Sequence, residues 1–129
     1  MDTDGRVLQV VVTPANLSDR DGAECVLSYV RPDLPRLTKI WADQSYDGAD
    51  FLAFIQAEFD LTLEIVPRQP DQEGFVVLPR RWVVERSFAW GGRNRRLSKD
   101  YEYHPECSET MLYLASIHLL TKRLALSPV

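Results

Sequence analysis

Short β-branched runs alternate along the chain with stretches in which apolar residues recur every three or four positions. Residues 7–13 (VLQVVVT) form a β-branched run that predicts a buried strand, ended by Pro14, Ala15 and Asn16. From Ser18 or Asp19, either able to cap, a helix is predicted to about Val30, with Ala23, Val26, Leu27 and Val30 at helical spacing. Residues 31–35 hold two prolines and read as a connector. Residues 37–42 predict a short apolar strand running into Asp43. Asp47 is suited to cap a second helix, in which Phe51, Ile55 and Phe59 recur every four residues. Residues 61–66 (LTLEIV) alternate as a third strand would, and 67–74 read as a polar loop. A helix is predicted from Pro79 or Arg80 to about Trp90. Gly91 and Gly92 each cost about 1 kcal/mol relative to alanine in a helix interior, so it ends or kinks there. His104 and Pro105 open a last helix to about Leu124, with Met111, Leu112, Leu114, Ala115 and Leu119 on its buried side. Lys122 and Arg123 sit favourably at its C-terminal end. This alternation predicts an α/β sheet, with ligands near the C-terminal ends of the strands.

Composition narrows the reading. At 129 residues and 45% apolar, the chain is predicted to be a single domain, 1–129, with enough apolar material for a core. Cys25 and Cys107 lie far apart and form no CxxC pair, so both read as reduced thiols. No apolar run approaches the ~18 residues of a membrane span, and Met1 is followed by DTDGR rather than a signal region, which predicts a cytoplasmic location without a membrane partner. The net charge of −4 argues against nucleic acid until its distribution is considered. Residues 79–100 (PRRWVVERSFAWGGRNRRLSKD) carry Arg80, Arg81, Arg86, Arg93, Arg95, Arg96 and Lys99 against only Glu85 and Asp100, a local net charge of +5. Arginine on this scale suits a surface that holds a phosphate backbone. Salt screens charges beyond ~8–10 Å, so a local basic stripe outweighs a diffuse acidic remainder at close range. Trp82, Phe88 and Trp90 interleave with the bases and are expected to pack in the core.

Two acids stand out. Asp43 follows the apolar run Ile40-Trp41-Ala42, at a strand tip where α/β folds place their sites; it equally suits a turn cap opening QSYDG. Glu85 lies four residues after Arg81 on one helical face, as an ion-pair partner or as an acid held among bases. Phosphodiester cleavage with two metal ions needs clustered carboxylates, because divalent ions take hard oxygen ligands. If both acids serve such a site, their carboxylates should come within roughly 4–8 Å of each other. Asp2 and Asp4 read as turn residues, Asp19 and Asp21 as helix-start residues, and His118 as a core or groove residue. There is no Ser-His-Asp order, no phosphate-cradling glycine loop and no zinc spacing.

Four stretches carry a family resemblance: VVVTPANLSDRDGA (10–23), WADQSYDG (41–48), LEIVPR with FVVLPRRWVVERSFAW (63–68 and 75–90), and RRLSKDYE (95–102). Together they resemble the C-terminal part of an insertion-sequence transposase of the DDE superfamily. The resemblance implies a ribonuclease H-like α/β catalytic domain, truncated at the N-terminus so that the first, central strand with its catalytic aspartate is absent. It implies Asp43 and Glu85 as catalytic metal ligands for Mg²⁺ or Mn²⁺. The seven basic residues of 80–99 would then hold double-stranded DNA at transposon ends. Of the signature Tyr-x2-Arg-x3-Glu-x6-Lys, Arg81 and Glu85 fit. Leu78 stands at the Tyr position and Gly92 at the Lys position, with Arg93 one step later. Gln44-Ser45-Tyr46 replaces the more usual Gly-Gly-Tyr, and Gly91 the more usual Leu. The implied function is DNA transposition by metal-dependent cleavage and strand transfer, in the bacterial cytoplasm near the nucleoid. The implied partners are a second copy or the missing N-terminal part. With two of three acids, the chain alone is expected to be inactive. The alternatives are a non-catalytic DNA-binding or assembly fragment that interferes with intact transposase, or a functionless remnant.

Overall fold

The structure is a computed structural model that describes residues 1–67 and 79–126. They form two compact units, Pro14–Trp82 and Met1–Thr13 with Val83–Val129. The predicted loop at 67–74 falls mostly outside the described residues, as does Leu78.

In the unit Pro14–Trp82, α1 (Asp19–Asp33) starts behind Ser18, whose hydroxyl oxygen accepts from the Asp21 N–H at 3.2 Å. The same hydroxyl donates to the Asp21 carboxylate at 2.7 Å, so Asp21 is a helix-start residue as predicted. The helix runs three residues past Val30, through Pro32. Arg31 then holds the connector: its guanidinium donates to the carbonyls of Leu34, Pro35 and Leu37 at 3.0–3.3 Å. Each of those carbonyls thereby gains a charge-assisted hydrogen bond, that of Leu34 in addition to the Leu37 N–H at 3.0 Å.

The connector delivers the chain to β1 (Lys39–Ala42), and α2 (Ala49–Phe59) carries it back to β2 (Thr62–Ile65). The strands pair in parallel, Lys39 opposite Thr62 through Ala42 opposite Ile65. A parallel pair needs such a crossover, and a helix is its usual form. Phe51, Ile55 and Phe59 are all buried, as their spacing predicts, and close on Leu27, Leu61 and Leu63. Ile55 and Leu61 are completely enclosed. Each such side chain contributes about 1.5–3 kcal/mol of burial. Gly48, not Asp47, is the N-cap of α2; Asp47 instead closes the one-turn 3-10 helix Gln44–Tyr46 that precedes it. Gly48 has φ +148°, and a Cβ there would lie 2.7 Å from the Arg20 guanidinium. A side chain that caps is therefore disfavoured by the backbone angle, and Arg20 would have to shift to admit it.

The second unit holds most of α3 (Pro79–Gly92) and all of α4 (Pro105–Leu126). Residues 7–13 do not form the predicted strand, and the described sheet has two strands rather than three. The segment lies half-buried against α4 instead: the Val10 N–H donates to the Tyr113 hydroxyl at 2.9 Å, and the Val12 N–H to the Glu109 carboxylate at 2.8 Å. Four residues of helix rise about 6 Å and two of extended chain about 6.6 Å, so acceptors one turn apart meet alternate N–H groups. β-branched residues favour extended chain, but a strand also needs a backbone partner, and here side chains take the donors. Asp2–Gly5 is a turn as predicted, with the Gly5 N–H on the Asp2 carbonyl at 3.1 Å and φ +81° at Gly5.

Two predicted burials on α4 are corrected. Leu114 is exposed, while Met111, Leu112, Ala115 and Leu119 are half-buried. His118 is exposed, not a core residue. The helix is apolar over more of its circumference than this unit covers. No helix among the described residues is long and apolar enough to cross a membrane.

Candidate functional site

Because β1 and β2 are parallel, their C-terminal ends share one edge of the sheet, and Asp43 follows β1 directly. Asp43 is exposed, and its Oδ1 accepts from the Ser45 N–H at 3.0 Å and from the Ser45 hydroxyl. The strand-tip and turn-cap readings therefore describe one residue. The capped turn carries Tyr46 onto the core, with its ring centroid 6.5 Å from that of Phe51. Burial, then the charges of Asp19 and Asp43, push the Tyr46 phenol above its ordinary range, so it stays a protonated donor at neutral pH. Arg20 on α1 donates to the Asp47 carbonyl and lies 5.4 Å over the Phe51 ring. The loop after Asp43 is thus fixed by its own cap, by Tyr46 in the core and by Arg20.

Glu85 lies on α3 in the other unit and is exposed. The side chains of Arg80 and Arg81 fall outside the described residues, and with them the Arg81–Glu85 pairing. The next residues on α3 are committed to the N-terminal turn: Arg86 donates to the Asp4 carbonyl at 3.2 Å, and the Ser87 hydroxyl to the Gly5 carbonyl at 3.0 Å. Asp2 and Asp4 pair with Arg6 at 3.3 and 2.8 Å, which is a turn role rather than a metal-ligand role.

Trp82 and Phe88 are exposed, Phe88 to 67%, so two of the three rings expected in the core are on the surface. Trp90 is half-buried, with the guanidinium carbons of Arg86 and Arg123 at 4.7 and 4.3 Å from its ring centroid. Arg123 escaped the sequence reading because it lies a whole helix away from the basic stretch. Its only local sign is a base at a helix C-terminus, which has its own explanation in the helix dipole.

Arg93, Arg95, Arg96 and Lys99 are exposed. Arg96 is engaged: its Nε donates to the Glu102 carboxylate at 2.7 Å, and it lies 6.0 Å over Tyr101. Asp100 takes the Ser108 hydroxyl at 2.8 Å, so the acid at the end of the basic stretch is spent on ordering the entry to α4. Exposed pairs of this kind contribute only about 0.2–1 kcal/mol. Glu102→Gln should therefore leave the melting temperature nearly unchanged. If this surface binds DNA, the released Arg96 should tighten binding and steepen its dependence on log salt by about 1. Fluorescence anisotropy of a labelled duplex in two salts reads both.

Among the described residues no three or more His, Cys, Asp and Glu side chains group as a metal site would. The family model of the transposase DDE domain matches residues 1–120, which takes in Asp43, Glu85 and the whole basic stretch. No curated protein and no solved structure matches. The mixed helices and parallel pair fit the α/β class expected of that match, and a transposition-related function goes with it. The chain belongs to the transposase DDE domain family.

Proposed function

We propose that this chain acts in DNA transposition, binding transposon-end duplex DNA and contributing Asp43 and Glu85 to metal-dependent phosphodiester cleavage and strand transfer on a ribonuclease H-like domain. The observation that supports it most is the family match across 120 residues, with an acid directly after β1 at the C-terminal edge of a parallel pair. Both acids are exposed carboxylates, hard oxygen donors of the kind Mg²⁺ or Mn²⁺ takes. A bound divalent ion would stabilise the charge developing on the phosphate oxygens and lower the pKa of the attacking hydroxyl. The chain's own part, on the Asp43 side, is to hold that acid still. The Ser45 N–H and hydroxyl fix the Asp43 carboxylate, and Arg20 and Tyr46 fix the loop behind it. The exposed bases from Arg93 to Lys99 would grip the duplex by its phosphates.

Two carboxylates hold a divalent ion incompletely, which also supports a second reading: a DNA-binding module that assembles with, or interferes with, an intact transposase. One set of measurements tests both. Mn²⁺ binding, read by electron paramagnetic resonance, should weaken at least about tenfold in Asp43→Asn and again in Glu85→Gln. The chain alone should not nick duplex DNA in Mg²⁺ or Mn²⁺. Mn²⁺ binding untouched by either variant removes the metal site. Robust nicking that disappears in Glu85→Ala would mean that the chain holds a third ligand, and would reject the second reading.

A further inference from the structure

We propose that Tyr103, on the loop that joins the 3-10 turn Arg95–Leu97 to α4, is a stacking contact for unpaired DNA bases at the end of the basic stretch. It rests on the DNA reading above and adds a ligand class that the basic residues alone do not select. Tyr103 is 93% exposed. Singly exposed rings are ordinary, but this one stands apart by its setting. The loop around it is held at several points. The Asp100 carboxylate accepts from the Glu102 N–H at 3.2 Å and from the Ser108 hydroxyl at 2.8 Å. Glu102 accepts from Arg96 at 2.7 Å, and the Ser98 and Tyr101 hydroxyls lie 3.3 Å apart. The Cys107 N–H donates to the His104 carbonyl at 3.0 Å. The Tyr103 ring meets the His104 ring edge to face, with centroids 5.0 Å apart. An anchored backbone therefore presents a ring that the chain itself leaves almost uncovered.

Charge selects the partner. Both acids of the loop are occupied, Asp100 by its two donors and Glu102 by Arg96, and the Glu102 side chain is only 18% exposed. Arg93, Arg95 and Lys99 are exposed and make no ion pair among the described residues. An aromatic face beside unneutralised basic groups is the combination that grips single-stranded nucleic acid: the basic groups take phosphates and the ring takes a base. Inside a duplex each base is covered by its neighbours, so an unpaired one is needed to offer a face to Tyr103. A tyrosine has few side-chain torsions to freeze, and its backbone here is already anchored, so little entropy is lost on stacking. Every base has a π-face, so the contact should tolerate any sequence. The ring is neutral and releases no counterion, which separates its effect from that of Arg93 or Lys99.

The test compares a labelled blunt duplex with the same duplex carrying a single-stranded extension that holds 2-aminopurine. The whole chain is measured as the parent, Tyr103→Ala, Tyr103→Trp and Arg93→Gln, with a salt series, a thermal melt and sedimentation of each. Tyr103→Ala should lose about fivefold or more in affinity for the extended DNA and less than about twofold for the blunt duplex, at an unchanged salt slope. Tyr103→Trp should restore the affinity. Binding should quench 2-aminopurine in the parent and in Tyr103→Trp, and not in Tyr103→Ala. Arg93→Gln should weaken binding to both DNAs and make the slope shallower by about 1. If Arg93→Gln behaves so while Tyr103→Ala binds both DNAs like the parent, or loses both equally, this inference fails and the DNA reading stands. Loss of binding in step with a lowered melting temperature makes Tyr103 a packing residue, and a dimer that Tyr103→Ala dissociates makes it a contact between copies; either overturns the inference. A parent that binds neither DNA at low salt overturns the DNA reading and this site together.

Discussion

Raising monovalent salt from 50 to 200 mM should weaken duplex binding by this chain on the order of 10³-fold. Each phosphate neutralised by a base releases condensed counterions, and the slope of log affinity against log salt is about −0.9 per contact for duplex DNA. The stretch from Arg80 to Lys99 holds seven bases, but Arg96 is paired with Glu102 and Arg86 is partly engaged by the Asp4 carbonyl. Five or six effective contacts are a fairer expectation than seven. The chain's total of −4 should not prevent binding, because the remaining acids are spread over the molecule and screened at a distance. Replacing Arg93 and Arg95 together with Gln should cost roughly two units of slope. The check is anisotropy or filter binding over a salt series. Salt-insensitive binding would mean that the basic stretch is a solvated face and the DNA reading is wrong.

The second large effect is on stability. Ile55→Ala should destabilise the unit Pro14–Trp82 by about 2–5 kcal/mol, read from the midpoint of urea unfolding at constant m-value. Ile55 is wholly enclosed, between Phe51 and Phe59 on its own helix and the chain that becomes β2. Truncation leaves a cavity at the point where the crossover helix meets the sheet. The ordinary stability of a domain is about 5–15 kcal/mol, so such a loss is a large part of the whole. The control is Phe54→Ala on the same helix. Phe54 is 37% exposed, and its removal should cost well under half as much. Equal losses would mean that the α2 face towards the sheet is not the core described here. The carboxylate of Asp43 sits one loop away from this core, so its position depends on that packing.

The elements with a local cause were legible from residues alone. Ser18 and Asp21 start α1 because a short polar side chain satisfies an N–H that the first turn leaves bare. The Phe51–Ile55–Phe59 stripe declared a buried helix face, and LTLEIV declared a strand. Asp43 was placed at a strand tip by the apolar run before it, and the structure adds that it caps the next turn there by accepting from the Ser45 N–H. Where the strand reading missed, the cause was a partner distant in sequence. Residues 7–13 have the composition of a strand, but Tyr113 and Glu109 on α4 take the N–H groups of Val10 and Val12. Asp47 resembled a helix cap, but the cap position falls one residue later, on Gly48, whose φ of +148° favours glycine.

The sequence by itself determined the alternating order of helices and strands after residue 13, the α2 stripe, the two candidate acids and the sign of the charge along 79–100. Each of these depends on residues within a few positions of one another, through caps, periodicity or charge density. Only the tertiary structure decided which apolar residues stay exposed, which arginines are spent on carboxylates, and that Arg123 joins Arg86 on Trp90. Those outcomes depend on which surfaces come together, and a base or a ring carries no mark of the partner it meets on another element.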